Sequence, residues 1–64
     1  MSDEELKALE GLSIDDAKKA IEGKRYKFEI FSRDGFQMPV NKTFQRNRIG
    51  VNITKGKVTS AVNG

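Results

Sequence analysis

Cysteine and histidine are absent from this sequence. Without thiols there is no disulfide framework, and without imidazole or thiolate there is no material for a zinc centre or a histidine-based triad. After Glu22 only two acids remain, Glu29 and Asp34, so no acid–base pair emerges. The sequence therefore predicts a protein that is not an enzyme and takes no cofactor. No apolar run exceeds a pair of residues, so nothing reads as a transmembrane segment or the apolar core of a secretory signal. Met1-Ser2-Asp3 reads as a native start, and the expectation is a cytoplasmic protein with no membrane partner. The chain has 64 residues. A chain of that size forms one domain and buries only about 60% of its unfolded surface.

What is present is charge, unevenly divided. Residues 1–22 hold seven acids and three lysines, whereas residues 23–64 hold nine basic residues against Glu29 and Asp34. A basic half points to an anionic partner, such as nucleic acid or an acidic protein surface, or else to a solvated surface that pairs with the acidic half.

Hydrophobic periodicity places the elements. Ser2-Asp3-Glu4-Glu5 is a capping-box pattern followed by Leu6, Ala8 and Leu9, and predicts a short helical turn within residues 1–11. From 13 to 22, Ser13 can cap, Asp15 and Asp16 occupy the first turn, and Ile14, Ala17 and Ile21 share one face with Ala20 beside them. This is an amphipathic helix, with Gly23 as its stop. Its small-residue stripe suits close packing on a sheet. Tyr26, Phe28 and Ile30 alternate with Lys27, Glu29 and Phe31, giving a strand over 26–31 with one buried face and Phe31 as a large apolar group on the other.

Residues 48–54 and 57–62 read as a hairpin. Ile49, Val51 and Ile53 alternate with Arg48, Gly50 and Asn52 to bury one face, Lys55-Gly56 makes the reversal, and Asn63-Gly64 is a polar end. Between the strands, 32–47 is long and polar. In one reading Asp34-Gly35 turns a hairpin into a further strand through Phe36, Met38 and Val40, against which Pro39 argues. In the other the run is an exposed extended loop, of a length that tends to be functional.

Three segments resemble the potato inhibitor I family of serine-protease inhibitors, including its small bacterial relatives. Leu9-Glu10-Gly11-Leu12-Ser13-Ile14-Asp15-Asp16-Ala17-Lys18-Lys19-Ala20-Ile21 is similar to the family's Leu-x-Gly-x-Ser, acidic-pair, Ala-Lys-Lys-x-Ile helix. Asn47-Arg48-Ile49-Gly50-Val51-Asn52-Ile53 is similar to its Asp-Arg-Val-x-Leu-x-Val strand. Gly56-Lys57-Val58 through Gly64 resembles the closing hairpin and final glycine. The resemblance implies an α+β fold: one main helix packed on a small mixed β-sheet, a long exposed loop between the two central strands, and a C-terminal β-hairpin.

It also implies a substrate-like inhibitory loop. Counting back from Arg48 puts Val40, Asn41, Lys42, Thr43 and Phe44 in the protease-contact loop, with Lys42-Thr43 as the reactive bond. A lysine there suits trypsin-like enzymes, and a subtilisin-like target is the other candidate partner. Arg46 or Arg48 would brace the loop by donating to polar groups of Asn41 and Thr43. The chain departs from the family at Gly50, where a second strand arginine is usual, and at Thr43, where an acid is common.

The alternative is a small basic module that keeps the fold without inhibitory activity. Lys24, Arg25, Lys27, Arg33, Lys42, Arg46 and Arg48 would supply an electrostatic footprint and Phe31, Phe36 or Phe44 the stacking platforms, though no nucleic-acid motif supports it. A third reading is an assembly protein that presents an apolar loop.

Overall fold

Two serines start the two helices. Ser2 Oγ accepts from the Glu5 amide and Glu5 Oε1 accepts from the Ser2 amide, each at 3.2 Å, closing a capping box at the head of α1 (Asp3–Ala8). Ser13 Oγ accepts from the Asp16 amide at 3.2 Å and starts α2 (Ile14–Gly23). The structure is a computed structural model, and it describes residues 1–41 and 43–64.

The helix stop differs from expectation. Gly23 is the last helical residue, and the left-handed step is taken two residues later by Arg25, at φ 65°. The Arg25 and Tyr26 amides donate back to Glu22 and Ile21 oxygens, which satisfies the end of the helix without a glycine in the strained position. Lys24, just past this end, pairs with Glu5 and ties the two helices together. That ammonium, with hydrogen bonds from Ser2, pulls the Glu5 carboxyl from 4.5 to about 2.

Four strands follow: β1 (Lys27–Arg33), β2 (Phe36–Gln37), β3 (Arg48–Thr54) and β4 (Lys57–Asn63), in the order β2-β1-β3-β4. β1 is parallel to β3, and the other two pairings are antiparallel. The fold is therefore α+β with a mixed sheet. Asp34-Gly35 and Lys55-Gly56 both carry positive φ at their two residues, as two-residue hairpin turns demand. The turns support each other, because Asp34 Oδ1 accepts from the Lys55 amide at 2.8 Å.

The hairpin and loop readings of the middle stretch each hold for part of it. β1 runs two residues past 31, β2 lasts only two residues, and Met38 donates one more bond to the Phe31 oxygen before Pro39 ends the pairing. The remaining chain has to be long for a topological reason. Parallel strands both start at the same end, so the chain leaving β1 must travel back along roughly 20 Å of sheet to enter β3.

The core lies between the helices and one sheet face. Leu9, Ala17, Ile21, Ile49, Val51, Ile53 and Val58 are buried, and Tyr26, Phe28 and Ile30 pack against them. Burial of β3 is not confined to that face, as its alternation predicts. Arg48, Ile49, Gly50 and Val51 are all buried in succession. The second face is covered by Phe31, which the strand's alternation turns to that side and a bulge between Ile30 and Ser32 leaves unpaired, its ring lying across Gly50. Beside it, Ser32 Oγ, Asn52 and Ser60 Oγ form a hydrogen-bonded row across three strands, with both steps at 2.7 Å.

Candidate functional site

The covered second face carries one buried charge. Arg48 is 3% exposed, and its guanidinium lies 5.0 Å above the centre of the Phe31 ring. A guanidinium withdrawn from water costs several kcal/mol unless its donors are met. Here they are met by main-chain oxygens. Nη1 donates to Asn41 at 2.6 Å, Nη2 to Thr43 at 3.2 Å and to Gly64 at 2.8 Å, and Nε to Gly64 at 3.2 Å. No buried side-chain polar atom lacks a partner among the described residues.

Arg48 thus joins the returning loop to the chain's last residue. Asn41 is held twice, since its side-chain Oδ1 also accepts from the Thr43 amide at 2.9 Å. This side-chain turn closes over two residues, the local geometry asparagine favours. Thr43 likewise has both its amide and its oxygen engaged. Lys42 lies outside the described residues. Val40 is half-buried, while Asn41 and Thr43 are exposed. Phe44 is 70% exposed, and the flank of its ring rests on Gly64, where a Cβ would come within 2.8 Å of Cδ2.

The two arginines named as braces are not equivalent. Arg46 is exposed, and its side chain makes no hydrogen bond or ion pair among the described residues; only its main-chain oxygen is used, accepting from Asn63 Nδ2 at 3.0 Å. The difference follows from position: Arg46 precedes β3 in the turn, whereas Arg48 is its first residue, on the face beneath the loop.

Asn63-Gly64 is not merely a polar end. Asn63 Nδ2 also donates to the Arg48 oxygen at 3.0 Å, Asn63 Oδ1 accepts from the Met1 amino group at 3.3 Å, and the Gly64 amide donates to the Arg48 oxygen at 2.8 Å. Nothing in the local pattern of the sequence shows these contacts. Gly50 does carry a signal, since glycine inside a strand often marks close approach by another group. That group is Phe31. Gly50 is where the ring under Arg48 sits.

Beneath the loop, Phe31, Met38, Val40, Asn41, Arg48 and Gly64 help to line a half-open cleft of about 310 Å³. Of the aromatic rings suited to stacking, Phe31 is taken up by Gly50 and Arg48, while Phe36 is 77% exposed. Among the described residues no cluster of acids is arranged to hold a metal ion, and no helix is long and apolar enough to cross a membrane. No family model, curated protein or solved structure matches the chain.

Proposed function

We propose that the chain is a substrate-like inhibitor of a serine protease, with Lys42-Thr43 as the bond presented. The observation that supports this most is the Arg48 grip on main-chain oxygens at Asn41 and Thr43, one on each side of position 42. A protease binds substrate as extended backbone, and a loop already held in place loses little conformational entropy on docking. The same grip bears on what happens after cleavage. Asn41 would lie on one fragment and Thr43 on the other, yet both oxygens would still belong to one guanidinium. The new ends would stay close, and religation would compete with release. Lysine before the bond suits an enzyme whose specificity pocket carries an acid.

The test is a titration of trypsin and of subtilisin with the pure protein, followed by mass analysis of the mixture. Stoichiometric loss of protease activity with the chain largely intact is expected. No inhibition at micromolar protein, or rapid cleavage after Lys42 with loss of the intact chain, overturns the reading.

A further inference from the structure

Asn63-Gly64 is the one asparagine-glycine step in the sequence. Such a step is chemically reactive because glycine has no side chain to hinder its own nitrogen. The glycine nitrogen loses its proton and bonds to the asparagine Cγ, the Cγ–Nδ2 bond breaks, and ammonia leaves. The resulting five-membered imide then takes up water at either carbonyl, giving aspartate or isoaspartate. No oxidant or reductant is involved, and water is the only co-reactant.

The fold holds both nitrogens of that reaction. The attacking nitrogen, on Gly64, donates to the Arg48 oxygen at 2.8 Å. The leaving nitrogen, Asn63 Nδ2, donates to the Arg46 and Arg48 oxygens at 3.0 Å each. Asn63 ends β4 in extended conformation, from which its backbone must rotate before the Gly64 nitrogen can reach Cγ. The Gly64 oxygen is fastened by two Arg48 nitrogens.

We propose that Asn63-Gly64 is a deamidation site gated by the fold, and that its conversion loosens the Arg48 brace under the loop. Both products lose the Nδ2 donor to the Arg46 and Arg48 oxygens, and the aspartate product sets a carboxylate facing them. The isoaspartate product also adds a methylene to the main chain and displaces the Gly64 oxygen from Arg48. The proposal does not depend on what the loop binds.

The experiment compares the intact chain, folded and in urea, at one mildly alkaline pH and temperature. Ammonia release and peptide mapping for aspartate and isoaspartate are the readouts. Conversion at Asn63 should be at least about tenfold slower in the folded chain, because it must wait for local opening. Across sub-denaturing urea, its rate should rise in step with amide exchange at Gly64. Equal rates in folded and unfolded chain overturn the gate, and faster conversion at Asn41, Asn47 or Asn52 in the unfolded chain overturns Asn63-Gly64 as the reactive step. For the brace, exchange of the Thr43 amide should be at least about tenfold faster in the converted protein separated from the mixture, and in N63D, than in the parent. Unchanged exchange in both overturns that part.

Discussion

Replacing Gly50 by alanine is the sharpest probe of the face that supports the loop. A Cβ built at this position overlaps the Phe31 ring at Cε2, Cζ and Cδ2. The ring has little room to retreat, with the buried Arg48 guanidinium 5.0 Å above it. Overpacking of this kind costs ~1–3 kcal/mol, and displacing the ring also forfeits an arginine–aromatic contact worth ~0.5–2 kcal/mol. Against this, alanine in a strand is intrinsically better than glycine by about 0.5–1 kcal/mol. The net expectation is a loss of about 0.5–4.5 kcal/mol, large for a domain whose whole stability is roughly 3–10 kcal/mol at typical values per residue. Urea unfolding followed by circular dichroism measures it as a lower midpoint at unchanged slope. The cycle with Phe31→Ala isolates the cause: once the ring is gone, G50A should be neutral or stabilising by about 0.5–1 kcal/mol. If G50A stabilises the parent protein, or costs the same with and without Phe31, the ring does not restrain position 50 and the account of this face fails.

Other substitutions test neighbouring links. Arg48→Met keeps apolar bulk but leaves the Asn41, Thr43 and Gly64 oxygens without their donor; a loss of about 2–4 kcal/mol in urea unfolding is expected, with faster amide exchange at Thr43. Arg25→Gly relieves a left-handed non-glycine residue and should raise stability by roughly 0.5–1 kcal/mol, readable as a higher unfolding midpoint. Glu5 has a folded pKa depressed from 4.5 to about 2, so its contribution is fully present above 4.5 and is lost as pH falls toward 2. In thermal melts across that window the parent should lose stability relative to Glu5→Gln, and added salt should shrink the difference because the pair is solvent-exposed.

Short-range physics made most of the frame legible. Ser2 and Ser13 announced the helix starts because capping is decided within four residues, and Lys55-Gly56 announced the final turn because its backbone demands are local. The apolar alternation of Ile49, Val51 and Ile53 located the core face. The second face of β3 was hidden for the opposite reason. Its cover comes from Phe31, whose place on that face the alternation did show but whose resting place on Gly50 it did not, and from a loop whose path depends on tertiary contacts and leaves no periodic trace. Arg48 could be named as a brace, but not chosen over Arg46, because which guanidinium reaches the loop oxygens depends on the loop's tertiary path and not on the strand boundary alone. The contributions of Asn63 and Gly64 lie at long sequence separation from every group they touch except one another, and so escaped local reading altogether.

The parallel pairing of β1 and β3 explains why one arginine can matter so much. It obliges the chain to return the length of the sheet between Gln37 and Arg48, and among its described residues that crossover has no helix to give it internal hydrogen bonds. In a chain without disulfides, order must come from the sheet below. A lysine at position 48 would offer a compact ammonium with three donors, whereas the planar guanidinium spreads its donors across a wide arc. That arc is what reaches Asn41, Thr43 and Gly64 together. Gly50 then has a definite part: by admitting the Phe31 ring it supplies the flat surface over which the guanidinium lies. A second arginine at position 50 would have to displace that ring. The strand thus carries one deeply seated cation over an aromatic floor, and the order of the loop is tied to the packing of Phe31 on Gly50.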